Sequence, residues 1–85
     1  MNQLDSVLLL EQTLITCRAF FPNSEKSLHG IMCYKDGHPF VFVEINCDWD
    51  GIFYDVWFYP NHSKTIYSVS YDRMCTRLKK LNRIL

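Results

Sequence analysis

The sequence predicts an α+β fold, one domain over 1–85 in the order α-β-β-β-α, with two helices packed on one face of a three-stranded antiparallel meander. Two turns and one periodic segment lead to it. Asp36-Gly37 stands between Ile31-Met32-Cys33-Tyr34 and Phe40-Val41-Phe42-Val43. A type I′ hairpin turn needs φ > 0 at both central residues, which Asp-Gly tolerates. A second turn, Asp48-Trp49-Asp50-Gly51, returns the chain into Ile52-Phe53-Tyr54-Asp55-Val56-Trp57-Phe58-Tyr59. Near the end, Tyr71, Met74, Cys75, Leu78, Leu81 and Leu85 recur at helical spacing.

Composition agrees with a small globular domain. A chain of 85 residues, 48% hydrophobic and 15% aromatic, holds one core and no more, burying roughly 60–65% of its unfolded surface. Nine basic and nine acidic residues cancel, so attraction to nucleic acid or anionic lipid has to come from local patches. Met1-Asn2-Gln3-Leu4-Asp5-Ser6 carries no basic n-region, and the apolar run Val7 to Leu10 is only four residues long. Neither a signal peptide nor a membrane span is expected. The four cysteines, Cys17, Cys33, Cys47 and Cys75, each lie in an apolar segment without motif spacing. They read as free buried thiols of a reducing cytoplasm.

The first helix is predicted over about 5–21. Asp5-Ser6 supplies an N-cap, and Leu4, Val7, Leu8, Leu10, Leu14, Ile15, Cys17 and Phe21 form a wide apolar stripe, with Glu11, Gln12 and Arg18 on the other side. Pro22-Asn23-Ser24 ends it, because proline cannot continue a helix. Ser24 to Ser27 is a short polar connector. Strands follow over about 28–35, 38–47 and 52–59. Pro60 to Lys64 has loop composition, and Thr65 to Val69 is either a fourth strand or the approach to the last helix. Ser70 caps a helix over about 70–84, with Asp72 in the first turn where the helix dipole favours it.

The turns imply a register. A two-residue Asp36-Gly37 loop pairs Cys33 with Phe40, Ile31 with Phe42 and His29 with Glu44. The second turn pairs Phe42 with Trp57, Glu44 with Asp55 and Phe40 with Tyr59. Side chains alternate between faces along a strand. The core face then carries Leu28, Gly30, Met32, Tyr34, Val41, Val43, Ile45, Ile52, Val56 and Phe58, with Cys47 on the same side. The opposite face carries His29, Ile31, Cys33, Lys35, His38, Phe40, Phe42, Glu44, Asn46, Phe53, Asp55, Trp57 and Tyr59. With both helices committed to the core face, Phe40, Phe42, Trp57 and Tyr59 form an aromatic strip rimmed by His29, Glu44, Asp55 and Lys35. An apolar centre with a polar rim is the anatomy of a protein interface.

Other chemistry is weaker. A row of His29, Glu44 and Asp55 places a histidine beside two carboxylates, as a general base requires, but the strands offer no nucleophile, oxyanion donor or pocket. No enzyme is expected. Structural zinc sites pair ligands at short spacing, and His29, Cys33, His38 and Cys47 do not. No metal and no cofactor motif is found. Arg73, Arg77, Lys80 and Arg83 line one face of the last helix, with Lys79 at its flank, as a phosphate-binding surface requires.

The α-β-β-β-α order resembles the double-stranded-RNA-binding domain, and Asp36-Gly37-His38 falls in the inter-strand loop where that family also carries a glycine and a histidine. The resemblance implies duplex RNA as ligand and the second helix as a contact. Here that helix opens Tyr71-Asp72-Arg73-Met74, where the family has a lysine cluster. The expectation is therefore a small cytoplasmic protein-binding module, an inhibitor or adaptor working through the aromatic sheet face. Its partner is another protein or a second copy of the chain, with RNA binding through the basic helix as the alternative. No membrane partner and no small-molecule substrate are indicated.

Overall fold

The computed structural model describes residues 3–84, and side chains over 6–84. The order is α1 (Gln3–Phe20), β1 (Glu25–Ser27), β2 (Gly30–Lys35), β3 (His38–Asp48), β4 (Gly51–Phe58), β5 (Ile66–Val69) and α2 (Tyr71–Asn82). A 3-10 turn, His62–Lys64, lies between β4 and β5. The class is the expected α+β, but the sheet has five strands, not three, in the order β1-β2-β3-β4-β5, every pair antiparallel. The order therefore departs from the α-β-β-β-α pattern on which the RNA-binding resemblance rests. Leu85, counted in the last apolar stripe, lies outside the described residues, as do the side chains of Leu4 and Asp5.

α1 already runs from Gln3, so Asp5-Ser6 lies inside the helix and does not cap it. Its apolar residues are too many for one face. Leu14, Cys17 and Phe21 are buried and Leu10 and Phe20 pack against them, while Val7, Leu8 and Ile15 stay exposed. The helix stops where Pro22 follows, and Ser24 ties off the end by donating Oγ–H to the Phe21 carbonyl (2.6 Å). Glu25 to Ser27, expected as a connector, forms an edge strand against β2. Three exposed polar residues have no apolar pattern, so backbone pairing alone makes this strand. Lys26 ties it to α1 through an ion pair with Glu11.

The β2–β3 turn has the conformation that Asp-Gly predicts, with Asp36 at φ 53° and Gly37 at φ 78°. Beyond it the register slips. Lys35 pairs with His38 and Tyr34 with Pro39, but Cys33 pairs with Val41, leaving Phe40 as an extra residue in a β-bulge. Proline has no N–H for the ladder, and a bulge is one of the few places a sheet accepts it. The consequence is that β2 is turned over relative to the expectation. Ile31 and Cys33 are fully buried, whereas Met32 and Tyr34 lie on the other face. Phe40 turns toward the helices, its ring 5.8 Å from Phe21 and 5.1 Å from Phe58. Lys35 follows it, with Nζ 4.9 Å above the Phe40 ring and bonded to the carbonyls of Asn82 (3.0 Å) and Ile84 (2.8 Å). It thus satisfies carbonyls that the end of α2 leaves without partners. Leu28, expected in the core, is 86% exposed in the β1–β2 turn.

The β3–β4 register is the expected one, with Phe42 opposite Trp57 and Glu44 opposite Asp55. Val41, Val43, Val56 and Phe58 are buried under the helices, joined by Tyr54. Toward the Asp48–Gly51 turn the two strands run out past that cover, so the cross-strand pair Cys47 and Ile52, both assigned to the core from parity, is exposed. The stretch after the loop is a strand, β5, paired through Tyr54↔Val69 and Val56↔Ile66 with an irregularity between them. Ser68 sits there at φ 55°. α2 is capped as expected, the Ser70 hydroxyl accepting from Arg73 N–H (3.2 Å), and ends at Asn82. Met74, Leu78 and Leu81 bury into the same cluster as Leu14 and Phe21 of α1. Both helices therefore lie on one face of the sheet.

Candidate functional site: the uncovered sheet face

Among the described residues nothing packs over the second face. Strand alternation and the β3–β4 register place Phe42 beside Trp57, and the reversed β2 adds Met32 opposite Phe42. Met32, Phe42 and Trp57 thus form one row across three strands, each half-buried by its neighbours. Tyr67 of β5, one position past Ile66 opposite Val56, reaches this row diagonally, its ring edge-on to Trp57 at 5.2 Å. Phe53 lies two rows away opposite Asn46. Two of the four expected strip members hold this position. Phe40 does not, because the bulge sends it to the core. Tyr59 sits just beyond β4, linked to Phe40 by its N–H (3.1 Å) and edge-on to the His62 ring at 6.4 Å.

The neighbouring row holds the carboxylates. Glu44 and Asp55 face each other across β3 and β4, an arrangement in which like charges oppose. Asn46 Nδ2 donates to Glu44 Oε1 and to Asp55 Oδ2, both at 3.2 Å, and Ser68 N–H donates to Asp55 Oδ1 at 2.8 Å. The expected histidine is missing from this row. Gly30 stands opposite Glu44, and His29 is exposed in the β1–β2 turn, its carbonyl taking Ile45 N–H (3.0 Å). The slip that turned β2 over removed it, so the general-base arrangement does not form. Met32 and Tyr67 are the site residues the sequence reading missed. Pro39 inside a strand was the available signal for the first. Tyr67 follows from β5, which the sequence left open.

The basic residues of α2 divide. Arg73, Lys80 and Arg83 are exposed, but Arg77 is half-buried, its guanidinium donating to the Lys64 carbonyl at 2.6 Å. Arg73, Arg77 and Lys80 with Ser70, Asp72 and Thr76 line a shallow cleft of about 470 Å³. On the core side, Cys17 and Cys33 are buried together and Cys75 is half-buried, all with free thiols. The Cys17 thiol is pushed up by its hydrogen bond to Cys33 and then by burial. Burial also raises Cys75, helped by Asp72, and raises the Tyr54 phenol. Among the described residues no three His, Cys, Asp or Glu side chains converge as metal ligands, and no helix is long and apolar enough to cross a membrane. No protein-family model matches the chain, and comparison with curated proteins and with solved structures finds no match.

Proposed function

We propose that the protein is a small cytoplasmic binding module, an inhibitor or adaptor that engages another protein through the uncovered sheet face and performs no catalysis. One observation carries this. Both helices pack on the same side of the sheet, so among the described residues no second layer lies over the half-buried row Met32, Phe42 and Trp57. Aromatic side chains and methionine are the types enriched at interface centres, and buried anchors of this kind are typically worth about 2 kcal/mol or more each. The rim is polar, through Glu44, Asn46 and Asp55.

The test is Phe42→Glu with Trp57→Glu. The double variant is expected to keep the far-UV circular dichroism of the parent and most of its stability. It should lose the nuclease-resistant protein partners that the parent captures from source-cell lysate. Unfolding of the variant would mean that the row is core. A folded variant that captures the same proteins would move the interface elsewhere.

A second reading, RNA binding through Arg73, Arg77, Lys80 and Arg83, is favoured by the cleft that the first three of these share on α2. It ranks lower because Asp72 lies in that cleft and Arg77 is already engaged by the Lys64 carbonyl.

A further inference from the structure

The strand charges on the uncovered face have one sign, and the one basic neighbour at its edge among the described residues is Arg18 of α1, which shares a cleft with Glu25 and Tyr34 away from Glu44 and Asp55. Glu25 lies opposite Met32 on the edge strand, Glu44 and Asp55 oppose each other beside the apolar row, and Asp48 follows on the same side of β3. No lysine, arginine or histidine of the five strands has a position there. Lys26 is paired with Glu11 of α1, and Lys35, with His38 opposite it, belongs to the helical side, where its Nζ reaches the end of α2. The Glu44 and Asp55 carboxylates are oriented by Asn46 and Ser68 N–H, yet those neutral donors leave both charges uncompensated. Two fixed carboxylates beside aromatic rings suit a guanidinium, which bonds carboxylates through a planar fork and stacks on aromatic faces.

Resting on the reading of this face as a docking surface, we infer that its occupant is a cationic amphipathic segment of another protein. Its apolar side chains would cover Met32, Phe42 and Trp57, and an arginine would lie between Glu44 and Asp55. A second copy fits worse. A twofold contact brings the same patch against itself, and a patch whose strand charges are all acidic offers nothing from the sheet to offset Glu44 and Asp55. The same sign of charge disfavours nucleic acid and anionic lipid on this face.

Trp57 reports on the site once the other tryptophan, the fully exposed Trp49, is changed to phenylalanine. The Trp49→Phe protein is titrated with a short leucine/arginine amphipathic peptide and with leucine/glutamine and leucine/glutamate peptides of the same apolar pattern. The arginine peptide is expected to shift the Trp57 emission and to bind at least about tenfold more tightly than the glutamine peptide, a difference of about 1.4 kcal/mol. Added salt should shrink that margin. Glu44→Gln with Asp55→Asn, which keeps one acceptor oxygen for Asn46 and one for Ser68 and gives up only the second Asn46 bond, should erase the margin while the far-UV circular dichroism stays that of the parent. Adding Phe42→Glu should abolish binding of both peptides. Equal binding of arginine and glutamine peptides, lost with Phe42→Glu, overturns the cationic partner and leaves the docking face standing. The same holds if the charge variant fails to fold and salt does not weaken the arginine peptide. No response of Trp57 to any peptide, or binding indifferent to Phe42→Glu, overturns both readings.

Discussion

Gly30 has no room for a methyl group. A Cβ built there would lie 1.9 Å from the Val43 carbonyl oxygen and 2.9 Å from its carbon, and a backbone atom in the middle of a ladder cannot step aside. Gly30→Ala must prise β2 from β3 at the row that holds Glu44, so a urea midpoint near or below the folding threshold is expected. Gly37 is the useful contrast. It needs its positive φ of 78° but has nothing within 4 Å, so Gly37→Ala should lose only about 1 kcal/mol. Equal losses at the two positions would mean that the β2–β3 spacing yields easily. A sequence cannot announce the first of these glycines, because the obstruction comes from a strand thirteen residues away. It does announce the second, through the Asp-Gly pair. Pro39 lies between the two cases. Its missing N–H is visible in the sequence, yet whether the strand answers with a bulge depends on where the Phe40 ring finds room, against Phe21 and Phe58.

At the scale of elements, legibility followed amphipathicity. α2 has one apolar stripe, and Met74, Leu78 and Leu81 are buried as its spacing requires. β3 and β4 alternate cleanly, so Val41, Val43 and Val56 fell on the core face from register alone. α1 carries apolar residues on all sides, and a helix of that kind has no face for the pattern to pick. Packing picks it instead: Leu14 is 4% exposed and Ile15, its neighbour, is 70% exposed. Leu14→Ala should therefore cost about 2–5 kcal/mol as a cavity opens, whereas Ile15→Ala should stay within about 0.5 kcal/mol. Urea melts of the two variants decide it, and a reversed order would mean that α1 is rotated on the sheet. The two edge strands were hidden for different reasons. Glu25 to Ser27 has no apolar residue at all. Ile66 to Val69 has its alternation broken by Ser68 at φ 55°, where the backbone N–H leaves the ladder for the Asp55 carboxylate.

Across the whole molecule, a net charge of zero hides a separation that composition cannot express. The uncovered sheet face carries Glu25, Glu44, Asp48 and Asp55 on its strands, and on the opposite side α2 carries Arg73, Lys79 and Lys80, with its C-cap Arg83, exposed against Asp72. The candidate interface was legible as far as β3 and β4 extend. Its Met32 and Tyr67 ends depended on a bulge and an edge strand that only the folded chain reveals. The same separation bounds the RNA alternative. Arg77 contributes little to a phosphate contact while its guanidinium holds the Lys64 carbonyl, which leaves about four exposed cations on one helix. Each phosphate neutralised adds about −0.9 to the slope of log K against log salt, so four contacts lose roughly two decades of affinity between about 50 and about 200 mM salt. A gel shift with duplex RNA is therefore expected at low salt at most, and none at physiological salt. Lys80→Glu with Arg83→Glu should remove any low-salt shift and leave the urea midpoint unchanged, since both residues are exposed. Arg77 is kept in that variant, because Arg77→Glu would also release the loop before β5 and confuse folding with binding. A duplex complex that survives physiological salt and is lost in Lys80→Glu with Arg83→Glu would place nucleic acid ahead of protein as the partner.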